Sequence, residues 1–305
     1  MQNNALLREI TSHGDRAAIV PICRLDDLAR DMEELEAGDY HTGYIDWAAK
    51  RRERFHPKDL GFEARSVLVV ATHCPRRTVT FTHGGRTVQA TLPPTYADYE
   101  ALEAGIHSYL NAFLNPMGLH AALANDLPNK LLAVRCALGE YGRNNIFYCG
   151  DWGSYVNLVA LYTDAPCQEH LWRLARRAQA CDKCHACVGA CPTGAIDAGR
   201  RIIDAGRCLT NLNENKKDAF PDWVDKDAHN ALVGCMRCQA CCPRNAPNAG
   251  FATEGCAFDE GETRCILDHR AGEEYPEELA QKIRGIGMHW YRDALPRNLA
   301  ALLAR

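Results

Sequence analysis

Cysteine is the residue type that most constrains this chain. Nine of its sixteen cysteines lie between residues 181 and 242, where few aliphatic residues are available for a hydrophobic core. Bound metal can organise such a segment, because metal binding supplies folding free energy that a small core lacks. The N-terminal stretch "MQNNALLREI" lacks the pattern of a secretion signal. We therefore expect a cytoplasmic protein. Because disulfides are rare in the cytosol, we expect its cysteines to bind metal.

The first cysteine motif is "CDKCHACVGACP", with the spacing C-x2-C-x2-C-x3-C-P. Its cysteines are Cys181, Cys184, Cys187 and Cys191. In bacterial ferredoxins this spacing binds one [4Fe-4S] cluster through three thiolates, while the cysteine before proline binds the other cluster. Paired C-x2-C elements also form zinc sites, but zinc does not require the third and fourth cysteines at these positions. The motif therefore predicts a module with two iron–sulfur clusters.

The second motif, "CMRCQACCP", supplies the remaining thiolates. Because Cys242 precedes Pro243, it takes the role of the ligand that crosses to the other cluster. The first cluster would then be bound by Cys181, Cys184, Cys187 and Cys242, and the second by Cys191, Cys235 and Cys238. The second set is one ligand short. Cys208, in "GRCLTNLNEN", is the natural candidate, and Cys241 competes with it.

The rest of the sequence predicts a layered arrangement of helices and strands. Apolar residues at helical spacing predict helices over 99–114, 128–138 and 168–180, and again in the C-terminal tail. Runs rich in β-branched and apolar residues predict strands within 63–72 and 145–164. Alternating residues around Gly84 and Gly85 suggest a hairpin, or a loop with strand character, over 81–92. This mixture favours an α+β fold. We divide the chain into an α+β domain (1–166), a ferredoxin-like di-cluster domain (167–250) and a helical C-terminal tail packed on the core (251–305).

The order of these motifs closely resembles that of the epoxyqueuosine reductases. After the first cysteine motif comes the lone Cys208, followed six residues later by Glu214 in "CLTNLNE", and then "GCMRCQACCPRN". The resemblance extends to "ARSVLVVATHCP", "LAVRCALGEYGRNNIFYCGDWGSYVNLVALYTD" and "KIRGIGMHWYRDALPRNLAALL". A looser similarity connects the chain to the corrinoid reductive dehalogenases.

The resemblance implies a nitroreductase-like domain that binds cobalamin, followed by a bacterial-ferredoxin-like domain with two [4Fe-4S] clusters. The clusters would pass electrons to cobalt for the reduction of an electrophilic substrate. In this family the lone cysteine completes the second cluster and the last pre-proline cysteine completes the first. Carried over, the resemblance makes Cys208 and Cys242 ligands and leaves Cys241 unused.

The resemblance also suggests catalytic residues. The family takes its proton from an aspartate ahead of a core helix, and the equivalent here is Asp126 in "ANDLPNK". An aspartate in this position is also a good helix N-cap, which is the alternative interpretation. Tyr141 and Glu140 are the next candidate proton donors.

Further residues are candidate cofactor contacts. Arg143 and Asn144 match the family's Lys-Asn pair and would contact the corrin side chains or the substrate. For Asn144, the alternative is a left-handed turn position, which asparagine tolerates better than most residues. The motif that follows Cys208 adds Leu209, Asn211 and Asn213 as cofactor-binding candidates.

The expected substrate is epoxyqueuosine in tRNA or another small molecule, reduced with electrons from an external donor such as ferredoxin or flavodoxin. Two features weigh against tRNA: the net charge is −4, and the family usually continues into a helical-repeat tail beyond the position of Arg305. No apolar stretch is long enough to suggest a membrane partner. The alternative function is a non-catalytic two-cluster protein that reduces a partner such as a corrinoid protein.

Overall fold

The computed structural model describes residues 2–38, 50–96, 98–215 and 219–305. Contacts divide the chain into two compact units. Unit one comprises Met1–His73 and Glu100–Lys183, and unit two comprises Cys74–Tyr99 and Cys184–Arg305. This division groups residues by their contacts and joins segments that are distant in the sequence. The predicted domain bounds at 166 and 250 stay a prediction.

Unit one is built on a four-stranded antiparallel sheet. In chain order its strands are β1 (Arg16–Pro21), β2 (Ser66–His73), β5 (Ala121–Leu123) and β8 (Val156–Thr163), and they lie in the sheet in the order β1-β2-β8-β5. Its helices are α1 (Gln2–Ser12), α2 (Arg24–Glu36), α3 (Tyr99–Leu114) and α4 (Asn129–Arg135). Every residue of β8 is buried, because this central strand has a neighbour on each side and covered faces.

The core of unit one follows from the alternation of side chains along a strand. Val67 and Val69 of β2 lie in one apolar cluster with Leu28 of α2 and Leu132 of α4. The intervening Leu68 is also buried, so both faces of the sheet are covered. The buried strand predicted from the continuous apolar run at this position is therefore confirmed.

A glycine-rich turn follows α4 in unit one. Strands β6 (Glu140–Tyr141) and β7 (Phe147–Tyr148) pair antiparallel around it, and Asn145 at its tip has a φ of +54°. The chain enters β6 through Gly139, where no side chain fits. An added Cβ would lie 2.4 Å from both Phe147 Cζ and the Tyr148 carbonyl oxygen.

Unit two contains a three-stranded sheet in the order β4-β3-β9. Its strands are β3 (Arg76–His83), β4 (Arg86–Leu92) and β9 (Ala252–Phe258); β3 pairs antiparallel with β4 and parallel with β9. Its helices are α5 (Ala186–Ala190), α6 (Leu209–Glu214), α7 (Arg237–Ala240), α8 (Glu260–Asp268), α9 (Glu277–Gly285) and α10 (Leu295–Leu303). Val79 of β3, Ile266 of α8 and Leu299 of α10 share its apolar core.

Most predicted elements are confirmed. The helix predicted over 99–114 forms as α3, with the same ends, and α4 is a shorter version of the helix predicted over 128–138. The Gly84-Gly85 hairpin forms with both glycines at positive φ. The C-terminal tail contains the predicted helices, as α8, α9 and α10, but the prediction of a wholly helical tail is wrong, because residues 252–258 form β9 and pair with β3. None of the described helices is long and apolar enough to cross a membrane.

The prediction of a helix over 168–180 is wrong. This segment has no regular secondary structure apart from an isolated bridge between Arg177 and Tyr141 and the 3-10 turn at Gln179–Cys181. Its backbone forms bonds outside the segment: Arg173 N–H donates to the Arg135 carbonyl at 2.9 Å, and Ala178 N–H donates to the Tyr141 carbonyl at 2.8 Å. Such long-range bonds override the helical periodicity of the sequence.

Replacing Gly139 with alanine is expected to destabilise the protein by about 1–3 kcal/mol, because the methyl group overpacks the turn. Gly105→Ala is the matched control: Gly105 lies in α3 with nothing near its Cβ position. That change should stabilise by about 0.5–1 kcal/mol, through helix propensity and reduced unfolded-state entropy. Urea unfolding followed by circular dichroism measures both variants. Equal stability of the two would contradict the steric argument.

Candidate functional site

Two short helices bring the cysteine motifs together in unit two. Cys187 lies on α5 and Cys238 lies on α7, and these helices contact each other. Each motif ends in Cys-Pro, at Cys191 and at Cys242, where the backbone is extended. The structure therefore places equivalent parts of the two motifs side by side, as a ferredoxin-like module requires.

Three of the four predicted ligands of the second cluster converge. Burial raises the pKa of the Cys235 thiol, and the nearby Cys208 and Cys191 sulfurs raise it further. Charges influence one another in this way only at short range. The fourth predicted ligand, Cys238, lies on α7, which begins two residues after Cys235.

Two hydrogen bonds to the Cys235 sulfur offset part of the effect of burial, which raises the pKa of this thiol. Asn230 Nδ2 donates a hydrogen bond to its Sγ at 3.3 Å, and a backbone N–H donated by Arg237 also lowers its pKa. Asn230 Oδ1 meanwhile accepts from the Met236 N–H at 2.9 Å, which fixes the amide orientation. Hydrogen bonds to cluster sulfurs help to set reduction potentials. The residues present therefore fit an iron–sulfur cluster.

Asn230 was not among the predicted site residues. It lies outside the cysteine spacing that identifies the ligands, and the only signal in the sequence is the tendency of asparagine to form local turns. Its contact with Cys235 depends on the fold of the loop between them.

The first predicted cluster has three ligands in unit two: Cys184, Cys187 and Cys242. The fourth, Cys181, ends the 3-10 turn Gln179–Cys181 of unit one. In the part of the chain that the structure describes, no three His, Cys, Asp or Glu side chains could hold one metal ion together. A [4Fe-4S] cube makes a different demand, because its four thiolates are distributed over an entire cluster.

Cys241, the predicted surplus cysteine, has a local partner. Its Sγ donates to the Cys238 carbonyl at 3.6 Å, one turn back along α7. Burial raises its pKa, and charge at the neighbouring Cys242 raises it further. The exclusion of Cys241 from the ligand set stays a prediction.

A network of amides holds the Cys208 helix against the Cys235 loop. Asn213 on α6 is fully buried and donates from Nδ2 to the Gly234 carbonyl at 2.6 Å. Asn298 on α10 donates to the Asn213 carbonyl at 3.0 Å. Among the other cofactor candidates on α6, Leu209 is buried and Asn211 is exposed. The contacts of Asn213 give it a positioning role between two predicted ligands.

Asp126 lies in the loop before α4 in unit one. Its Oδ1 is 3.7 Å from Arg51 Nη1 and 3.8 Å from Arg54 Nη1. The alternative interpretation as a helix N-cap is wrong: Pro128 occupies the cap position, and no side chain caps the helix. The carboxylate is about one-third exposed, so it remains accessible for proton transfer.

The predicted corrin contacts lie in the glycine-rich turn and are buried. Arg143 is 5% exposed and donates from Nη2 to the Cys181 carbonyl at 2.6 Å. Asn144 is 3% exposed and donates from Nδ2 to the Tyr148 hydroxyl at 3.0 Å. The left-handed position belongs to Asn145, so that alternative for Asn144 is wrong. The structure thus connects Arg143 to the first predicted cluster ligand.

The other two donor candidates, Glu140 and Tyr141, form β6 and are partly buried. Tyr141 packs beside the core of unit one, and its carbonyl accepts from the Ala178 N–H. The structure thus connects the Tyr141 backbone to Ala178, three residues before Cys181.

Comparisons with known proteins agree with this geometry. Residues 180–245 match the family described as "4Fe-4S double cluster binding domain". This range contains all eight predicted cluster ligands, and the match supports two iron–sulfur clusters.

Several curated relatives are named epoxyqueuosine reductase. The Listeria monocytogenes protein is 26% identical over 226 residues, which cover 72% of this chain and 58% of that protein. The Pseudomonas aeruginosa protein is 31% identical over 137 residues, covering 45% and 37%. The Xanthomonas campestris protein is 28% identical over 241 residues, covering 75% and 66%. The chain thus spans 58% and 37% of the lengths of the first two relatives.

Solved structures of epoxyqueuosine reductases share the fold. A selenomethionine-labelled enzyme aligns with a TM-score of 0.66 at 20% identity, covering 99% of this chain and 81% of that one. A Bacillus subtilis structure aligns with a TM-score of 0.64 at 21% identity and the same coverage. The resemblance to the epoxyqueuosine reductases that the cysteine motifs indicate is therefore confirmed, in sequence by curated relatives and in fold by solved structures.

Proposed function

We propose that this chain is an oxidoreductase in which two [4Fe-4S] clusters pass electrons to cobalamin for the reduction of an electrophilic substrate. The observation that carries the proposal is the match of residues 180–245 to the double-cluster family, together with the contact between α5 and α7, which carry Cys187 and Cys238. In this proposal the α+β part of unit one has the nitroreductase-like architecture of a cobalamin-binding domain.

The proposed clusters use the two ligand sets predicted from the sequence. Cys181, Cys184, Cys187 and Cys242 bind the first, and Cys191, Cys208, Cys235 and Cys238 bind the second. Asn230 and Asn213 then have supporting roles: one donates to a ligand sulfur, and the other holds two ligand-bearing segments together. Such supporting contacts orient ligands and adjust their basicity.

Cobalamin, when bound, supplies a cobalt centre able to attack an electrophilic carbon, while the protein orients the reactants and supplies the proton. We assign proton supply to Asp126, with Tyr141 as the next candidate. One solved Bacillus subtilis relative has its catalytic loop, named for an aspartate, swung out of the active site. In the present chain Arg51 and Arg54 face the Asp126 carboxylate and orient it.

The Arg143 and Asn144 side chains form hydrogen bonds within the protein, and the groups engaged in these bonds are not available to bind a corrin. Both side chains are nearly buried, with polar atoms engaged by Cys181 and Tyr148. Direct contact with cobalamin would require these bonds to be exchanged. We therefore propose that Arg143 fixes the backbone at Cys181.

For the substrate, we propose an electrophilic carbon of the kind found in epoxyqueuosine, carried on tRNA or on a small molecule. One solved epoxyqueuosine reductase contains an epoxyqueuosine-modified tRNA-Tyr stem loop. Turnover of a modified stem loop, compared with turnover of the free nucleoside, distinguishes the two substrate forms.

The second candidate function is non-catalytic electron transfer to a partner such as a corrinoid protein. It is favoured by the same internal bonds of Arg143 and Asn144, because a protein that binds no cobalamin has no need of free corrin contacts. Both functions require the two clusters, so corrinoid binding separates them.

Anaerobic protein reconstituted with iron, sulfide and cobalamin is expected to retain about one corrinoid per chain, in line with the proposed division of labour between cofactor and protein. Gel filtration followed by corrinoid analysis gives the ratio, and EPR should show base-off cob(II)alamin. Loss of all corrinoid with both clusters intact would reject the reductase and favour the electron-transfer protein.

The ligand assignment predicts different iron contents for two adjacent variants. Wild type should hold about eight irons per chain, as two four-iron cubes require. Cys241→Ala should keep about eight, whereas Cys242→Ala should lose the first cluster and fall to about four. Iron and sulfide analysis after anaerobic gel filtration provides the test. A larger loss of iron from the Cys241 variant would overturn the assignment.

The Arg143 contact predicts a selective effect on the first cluster. Arg143→Gln removes a buried charge-assisted hydrogen bond to the Cys181 carbonyl and should lower the free energy of unfolding by about 1.5–3 kcal/mol. The variant should also lose iron from the first cluster more readily, which EPR of the reduced protein detects. Arg173→Gln, which removes an exposed donor to the Gly139 carbonyl, is the control. Identical spectra for both variants would contradict this role.

A further inference from the structure

We propose that the segment 171–177 is the docking surface for an acidic one-electron carrier protein of the flavodoxin or ferredoxin class. This inference rests on the proposed function, because a cluster pair that reduces a substrate needs a supply of electrons. The surface is defined by the exposed side chains of Leu171, Leu174 and Arg176.

The segment is held in place by contacts within unit one. The guanidinium carbons of Arg24 and Arg135 lie 5.6 and 4.8 Å from the centre of the Trp172 ring. The Arg173 and Ala178 backbone N–H groups donate to carbonyls outside the segment. The backbone is therefore anchored near both ends, and a partner would meet a surface formed in advance, which reduces the entropy lost on binding.

Two leucines project from this anchored backbone. Leu171 is 71% exposed and Leu174 is 64% exposed, whereas the other strongly exposed large apolar residues in the described ranges are Met117, Trp223 and Trp290, far apart in the sequence. Single exposed apolar residues are normal on a protein surface. Two strongly exposed leucines within four residues of one segment are a local concentration of apolar surface. The pair therefore supplies an apolar centre for an interface.

The charge around the leucines is positive. Arg173, Arg176 and Arg177 are all exposed, and Asp182 forms an ion pair with Arg177 at 3.4 Å. The whole chain carries a net charge of −4, so this is a local departure from the average. Arginines around an apolar centre complement an acidic partner and raise its rate of association.

The position of the segment suits electron entry. Its last residue precedes the 3-10 turn Gln179–Cys181, which carries the first predicted ligand of the first cluster. A carrier docked on 171–177 would deliver one electron at a time: the carrier is oxidised and the cluster is reduced. Weak redox encounters use small interfaces, which two leucines and a few arginines can provide.

RNA fits this surface less well. Single-stranded nucleic acids bind to exposed aromatic rings on which bases stack. The aromatic residue of this segment, Trp172, is only partly exposed, and the guanidinium groups of Arg24 and Arg135 already lie over its ring. The exposed apolar residues are aliphatic, which favours a protein partner.

The experiment compares electron entry from a protein carrier with entry from a small reductant. Anaerobic holoprotein is mixed in a stopped-flow instrument with photoreduced flavodoxin, with reduced ferredoxin or with dithionite, and bleaching of the cluster absorbance is recorded. The variants are Arg176→Glu and the double change Leu171→Ser with Leu174→Ser. Arg264→Glu and Met117→Ser are the matched controls, since both positions are exposed outside the segment.

For Arg176→Glu, the rate constant for reduction by at least one protein carrier should fall by about tenfold at low salt, and the difference should shrink as salt rises. The leucine variant should show a loss that salt does not remove. Dithionite should reduce all variants at the wild-type rate, which shows that the clusters are intact.

Several results overturn the proposal. These are unchanged carrier rates in both segment variants, failure of both carriers to reduce wild type while dithionite succeeds, and a loss of stem-loop RNA binding with unchanged carrier rates. A wild-type dimer in sedimentation that the leucine variant converts to monomer would instead assign the surface to a second copy. Failure of dithionite to bleach the wild type would refute the proposed clusters themselves.

Discussion

The gathering of the cysteine motifs by two short helices is the constraint on which the cysteine-rich part of unit two depends. The α5–α7 contact brings the two motifs together, and burial, with the nearby Cys208 and Cys191 sulfurs, raises the pKa of the Cys235 thiol. Thiolates gathered in this way need a compensating cation, and iron in a cluster provides it. The short helices of the segment 181–242 are understandable on this basis, because metal–sulfur bonds replace the apolar core that the segment lacks.

The protein surrounds these sulfurs with buried amides. Asn213 and Asn298 connect α6, α10 and the chain before Cys235 through hydrogen bonds to backbone carbonyls. Tyr96 donates to Glu214 at the end of α6, and burial, with the Glu214 charge, raises its pKa well above the ordinary value. A buried polar network of this kind is costly when one partner is lost. It therefore specifies a single position for the Cys208 helix.

Packing within unit one explains why the turn that follows α4 is rich in glycine. Gly139 is required because Phe147 and Tyr148 occupy the space of a side chain, and Asn145 takes the left-handed conformation at the tip. The turn presents Arg143 to the Cys181 carbonyl. A residue expected to contact a cofactor is thus, in the structure, a support for a predicted cluster ligand.

The sequence by itself determined the features that depend on local spacing. The ferredoxin-type cysteine pattern, the helix over 99–114, the Gly-Gly hairpin and the buried strands all follow from periodicity, turn chemistry and ligand spacing. Only the tertiary structure decided the features that depend on distant partners. The segment 168–180 has helical periodicity, yet it forms no α-helix, and two of its N–H groups, at Arg173 and Ala178, bond to carbonyls elsewhere. Asn230 reaches Cys235 only through the fold of a loop. Local patterns depend on residues that are neighbours in the sequence. These hydrogen bonds form only when folding brings distant segments together.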